Sequence, residues 1–259
     1  MKRLVLARLF AGAGVIWWGI AFFGLIDLTT PFIQGPEFYD SYLLETGWGL
    51  LYTVLIAVPL IALVRGPQNA GPMGQLVIAS AAVAVPAILV PEPLQLLPAA
   101  VLLLSFVVLR ALARHGPRFD RANLGESIAH RARRTPLRSW ALVLVATVAA
   151  VPYAADMIAA GRAGRYPADI TAEINHWPMQ ASLALCIPAS AAIATLRPRG
   201  WKVPALTAAV AAIWLGALSF FYPEHAASLG RVGGLGCVAW GLLLIAGAYL
   251  PAERRHRQG

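Results

Sequence analysis

Residues 114–160 read RHGPRFDRANLGESIAHRARRTPLR and then, without a break, SWALVLVATVAAVPYAADMIAA. The second part, from Ser139 on, is 22 residues of almost pure hydrocarbon. At 1.5 Å per residue it reaches across a bilayer core of about 30 Å as a helix. The first part carries Arg118, Arg121, Arg131, Arg133, Arg134 and Arg138 against only Asp120 and Glu126. Arginine in that density beside an apolar run marks the side of the membrane on which the run starts.

The same reading extends in both directions. Seven further apolar runs occupy roughly 4–26, 46–64, 73–90, 94–113, 178–196, 203–222 and 230–250. Threaded alternately with Met1 inside, the eight runs put 18 of the 21 Lys and Arg on the inner side and nine of the 12 Asp and Glu on the outer. The sorting predicts an all-α integral membrane protein, a bundle of eight transmembrane helices with both termini cytoplasmic. A multi-pass plasma-membrane location follows. The runs lack alternating polarity, so helices are expected rather than barrel strands. A chain that is 59% hydrophobic and 13% charged is not an ordinary soluble domain. Met1-Lys2-Arg3 followed by a long apolar run is expected to open the first span rather than a cleaved leader.

Four segments result: helices one to four over 1–113, a basic cytoplasmic loop over 114–138, helices five to eight over 139–251, and a cytoplasmic tail over 252–259. The net charge of +9 is spread over inner helix ends, which suits anionic lipid heads and not nucleic acid. Membrane lipids are therefore the first expected partner, and the 114–138 loop is where a protein partner would dock. Outer loops alternate long and short, and an offset of 132 residues aligns Glu37 with Asp169, Arg65 with Arg197, Pro72 with Pro204, and Pro91-Glu92 with Pro223-Glu224. That register suggests a parallel 4+4 internal repeat. Cys186 and Cys237 fall inside helices six and eight and are expected as buried thiols.

No motif names a reaction. What stands out is that 17 of the 24 aromatic residues fall in the outer halves of the spans or in outer loops, although an interfacial belt would favour both faces. Three local patterns accompany them. Glu45, Trp48 and Tyr52 share a face at the start of helix two, by their i, i+3, i+7 spacing. Tyr153 and Asp156 lie near the outer end of helix five, with the carboxyl about 7 Å deep. Glu173-Ile174-Asn175-His176-Trp177-Pro178 leads into helix six, with Pro178 suited to a first helical turn. An ionisable group within a span is a functional candidate. The competing reading pairs Asp156 with Arg162 or Arg165 and makes His176 a cap.

The expectation is an outward-facing pocket with Asp156, Glu45 and His176 as catalytic groups. Trp18, Phe22, Trp48, Tyr52, Tyr153 and Trp177 would bind substrate. A desolvated carboxylic acid could protonate a lipophilic, isoprenoid- or lipid-like small molecule, and aromatic faces could steady a developing cation. A proton-coupled transporter is the alternative, and an accessory subunit without a site is a third reading. No cofactor is expected. HExxH, Walker A and GxSxG patterns are missing, and His176 and His225 are too few for a convincing metal or haem site.

Overall fold

A computed structural model describes residues 2–113, 137–164 and 174–249. The basic segment, the tail, Arg165 and Glu173 lie outside the described residues. Among the described residues, eight helices are long and apolar enough to cross a membrane. They are α1 Lys2–Ile33, α2 Phe38–Arg65, α3 Ala70–Leu89, α4 Pro93–Ala113, α5 Leu137–Arg162, α6 Trp177–Thr195, α7 Lys202–Phe221 and α8 Gly230–Tyr249. There is no strand among the described residues. The end of the bundle carrying 34–41 and 222–229 is called upper here, and the end where α1 begins and α8 stops is called lower.

Burial separates the helices into two layers. α6 has 78% of its span inside the bundle, α2 72%, α7 61% and α3 56%, whereas α4 has 28% and α1, α5 and α8 have 22% each. The four central helices meet one another: α2 packs on α6 and α7, and α3 packs on α6 and α7. Each outer helix leans on one central partner, α1 on α2, α4 on α3, α5 on α6 and α8 on α7. α1 also closes against α4, but α5 scarcely touches α8. The outer helices present Leu144, Val148, Leu235 and Leu242 to their surroundings, each more than half exposed. These side chains form an apolar belt around the outer helices.

The first two helices are longer than hydropathy predicts, and most of the expected 27–45 loop is helical. α1 runs as an α-helix to Ile16, loosens into a π-helical turn over Trp17–Ala21, and breaks at Phe22 and Phe23. Phe23 is left-handed, with φ 62°. The chain then resumes as Gly24–Ile33 and lies along Tyr42–Gly49 of α2. Asp27, Thr29, Thr30 and Pro31 make this stretch look like a loop. Tertiary contact overrides that local signal. Gly49 is what permits it, since a Cβ there would stand 2.1 Å from the backbone nitrogen of Leu28. α2 itself is π-helical over Leu50–Ala57, so both helices carry wide turns at the same level. Wide turns of this kind recur at functional sites.

Close approach of α7 and α8 rests on another pair. A Cβ on Gly216 would lie 2.5 Å from the carbonyl oxygen of Gly234, and one on Gly234 would lie 2.5 Å from that of Gly216. Small residues bringing two backbones into contact are the usual device where lipid gives no hydrophobic drive between helices. Both thiols are free, Cys186 buried and Cys237 partly so.

Candidate functional site

The upper ends of α2 and α6 enclose a carboxylate and an imidazole. Glu45 stands in the first helical turn of Tyr42–Gly49, and His176 is the residue before α6. Glu45 is 4% exposed and His176 8%, with His176 Nε2 3.7 Å from Glu45 Oε2. The other ring nitrogen, Nδ1, lies 2.7 Å from the carbonyl oxygen of Ile174. A carbonyl can only accept, so Nδ1 carries hydrogen and Nε2 is left facing the carboxylate. A proton held between Nε2 and Oε2 can sit on either atom: imidazolium beside carboxylate, or neutral ring beside carboxylic acid. At 3.7 Å the contact is an ion-pair distance and longer than a hydrogen bond.

Below the pair lies a stack of rings. Trp48 is 5.2 Å from the His176 ring and 5.2 Å from Phe22, on which it stacks. Phe22 meets Trp18 edge-on at 5.0 Å and Tyr52 edge-on at 4.8 Å. Trp18 and Tyr52 stack at 5.2 Å. The break at Phe22 and the π turns of α1 and α2 bring these four side chains to one level. Trp48 Nε1 donates to the carbonyl of Phe22, and the Tyr52 hydroxyl points at Met179 Sδ, 3.2 Å away. Four residues expected to line an open pocket thus pack against one another. They form a wall under the pair, with Trp48 as the ring that touches both.

The remaining candidates divide. Tyr153 faces inward on α5, where its hydroxyl donates to the Ala227 carbonyl at 2.6 Å and accepts from Gln180 Nε2 at 2.7 Å. Trp177 is buried in an adjoining cluster with Leu44, Met157 and Ala181, not in the ring stack. Asp156 does not join the site. It is exposed on α5, and the Nε of Arg162 donates to the Leu89 carbonyl. The reason is helical phase: Met157 is buried, and the preceding residue points about 100° away from it.

Three amides to which the sequence assigned no role organise the site. Gln180 is fully buried one turn into α6, and it presses so closely on α2 that a Cβ on Gly47 would come 1.6 Å from its Oε1. That oxygen has no hydrogen-bond partner among the described residues. Asn175 donates to Glu92 Oε1 at 2.9 Å and its Oδ1 accepts from the Trp177 backbone N–H. Gln95 donates to the Asn175 carbonyl, so the α3–α4 turn is tied to the start of α6. An amide four residues past His176 in an otherwise apolar helix was the available signal for Gln180.

A second cluster caps the upper face. His225 lies 4.3 Å from Tyr39 and 4.9 Å from Tyr222, and it stacks on Tyr42 at 6.4 Å. Burial lowers the His225 pKa below the usual histidine value, and the nearby Asp40 charge partly opposes this. Among the described residues no group of three or more His, Cys, Asp or Glu side chains could hold a metal ion. No protein-family model, curated protein or solved structure matches this chain.

Proposed function

We propose that the protein is a multi-pass membrane enzyme that acts on a lipophilic substrate by acid–base catalysis, with Glu45 and His176 as the proton-transferring pair. The observation that carries this reading is the burial of the two side chains at 3.7 Å beside an aromatic wall. A membrane protein has little structural reason to desolvate a carboxylate and an imidazole together, because burying such charges costs more than a surface pair returns. In the reaction the Glu45 O–H bond breaks and its proton passes to an alkene carbon or epoxide oxygen of the substrate. The carboxylate left behind steadies the positive charge that forms. His176, with Nδ1–H fixed on Ile174, takes a proton at Nε2 from the carbon next to the cation, whose C–H electrons close a new double bond, and passes that proton to the Glu45 carboxylate to reset the acid. Trp48 offers the ring nearest to that charge. The plasma membrane, with the upper end outward, is the proposed location, since the basic residues gather at the lower helix ends.

Untargeted mass spectrometry of lipids from cells producing the wild-type protein, Glu45→Gln or His176→Gln tests the proposal. One lipid class should change with the wild type and remain unchanged with either variant at equal protein level. Identical lipid profiles for wild type and Glu45→Gln would overturn it.

A proton-coupled carrier is the second reading, favoured by the arrangement of the helices. In each half the second helix is the most buried, the third follows, and the first and fourth are peripheral. Each pairing in one half has a counterpart in the other. Gln75 Nε2 donates to Thr207 Oγ1 at 2.7 Å, and these two residues stand 132 positions apart, the offset of the repeat. Two equivalent positions meet only near an axis relating the halves. That supports the 4+4 repeat, a common carrier architecture. Proton uptake in proteoliposomes without lipid turnover would favour this reading over the enzyme.

A further inference from the structure

A groove of about 280 Å³ lies between α5 and α8, on the side of α6 and α7. Ala149 and Tyr153 contribute from α5, Ile187 from α6, Leu215 from α7, and Gly236 and Trp240 from α8. It exists because α5 and α8 scarcely touch, whereas α1 and α4, their counterparts in the first half, close on each other. Ala149 and Gly236 are exposed, so the groove opens sideways toward the apolar belt.

Its lining determines what it can hold. Of the three groups that border it with hydrogen to donate, two are committed elsewhere, the Tyr153 hydroxyl to Ala227 and Trp240 Nε1 to the Leu142 carbonyl at 2.9 Å, and the third is only the weak S–H donor of Cys237. A water needs two to four polar partners to remain in a cavity, and this lining does not supply them. The occupant is therefore apolar. The groove runs from Leu229, the residue before α8, down that helix to Trp240, roughly 16 Å at the helical rise. That is about half of a hydrocarbon core of about 30 Å, the depth of one leaflet. Its upper end meets Tyr153, which through Gln180 reaches α2 at Gly47, two residues from Glu45.

We infer that this groove is the subsite for one hydrocarbon chain of the substrate, which is then a lipid of the upper leaflet with its polar end beside Tyr153 and Gln180. The inference rests on the enzymatic reading above for the word substrate, and on the groove alone for the chain.

The test uses the full-length protein in phosphatidylcholine vesicles containing a stearoyl lipid with a mid-chain diazirine. After photolysis, cross-links should concentrate on peptides covering 145–153 and 229–240. Gly236→Phe should abolish that enrichment, because a Cβ at Gly236 meets nothing within 4 Å and the ring enters the groove without disturbing the fold. Ala149→Phe, on the opposite wall, should do the same. Gly247→Phe is the control, since Gly247 also faces open space but lies outside the groove, and its labelling should match the wild type. Even labelling of all outward helix faces, or enrichment that survives both groove variants, would overturn the inference. Glu45→Gln should leave labelling intact. For the wild type, groove labelling without lipid turnover rejects the catalytic reading and not the groove, and turnover without groove labelling does the reverse.

Discussion

Gly47→Ala tests how tightly α2 and α6 are fitted around the site. The new methyl carbon would stand 1.6 Å from Gln180 Oε1 and 2.8 Å from its Cδ. Gln180 must swing away, and it is fully buried, so no solvent receives its amide. The swing breaks the 2.7 Å bond from Nε2 to the Tyr153 hydroxyl and leaves a buried donor without a partner, at about 1–3 kcal/mol. Alanine in place of glycine recovers up to about 1 kcal/mol of helix propensity. The net expectation is a loss of roughly 1–2 kcal/mol. Reversible unfolding in mixed micelles, followed by circular dichroism, measures it. In a Tyr153→Phe background the hydrogen bond is already gone, so Gly47→Ala should there cost less by about 1 kcal/mol or become neutral. An equal penalty in both backgrounds, or stabilisation in the wild type, would refute the coupling of Gly47 to Tyr153 through Gln180.

Gly216→Ala should destabilise by about 1–3 kcal/mol, since the methyl meets the Gly234 carbonyl at 2.5 Å and a backbone cannot step aside; an unchanged melting temperature would contradict this. His225 should titrate by NMR below about 6.5, and Asp40→Asn should lower it further, because the Asp40 charge is what holds it up. The sign for stability follows: the neutral ring's contribution is complete above the unfolded-state value and is lost as pH falls toward the lower folded value, so acidification should loosen the upper cap in the wild type and less so in His225→Gln. Reporter fusions after Gly35, Gly116, Gly164 and Gly259 should read outside, inside, outside, inside, and a cytoplasmic signal at Gly164 would reverse the orientation of α5.

Hydropathy located the eight helices because twenty consecutive apolar residues leave few alternatives. Boundaries failed where a polar stretch gains tertiary contacts: Gly24–Ile33 reads as loop from Asp27 and Pro31, yet it is held against Gly49. Spacing placed Glu45, Trp48 and Tyr52 on one face, and the π segment Leu50–Ala57 keeps Tyr52 near Trp48, with ring centres 5.0 Å apart. That Glu45 faces His176 across two helices is long-range information, available only from the shared side of the bilayer. Asp156 shows the limit of the method. Its depth was readable, but its direction depends on the phase of α5, and one residue of phase is about 100°. Gln180 had only its spacing of four residues from His176 to mark it, and which neighbours its amide meets is set by the packing of α6 on α2 and α5.

The mutual glycine contact of α7 and α8 distributes stiffness unevenly through the bundle. Two backbones in contact at Gly216 and Gly234, with a further close approach where Gly241 meets Ile213 and the Ala209 carbonyl, leave little between them to rearrange. The hairpin therefore behaves as one plank. α5 is fixed mainly to α6 and has only slight contact with α8. Thermal bending of the second half should concentrate at the seam between α5 and α8, and the first half, latched by α1 on α4, should bend less. The half expected to be the softer is the one that contains the groove.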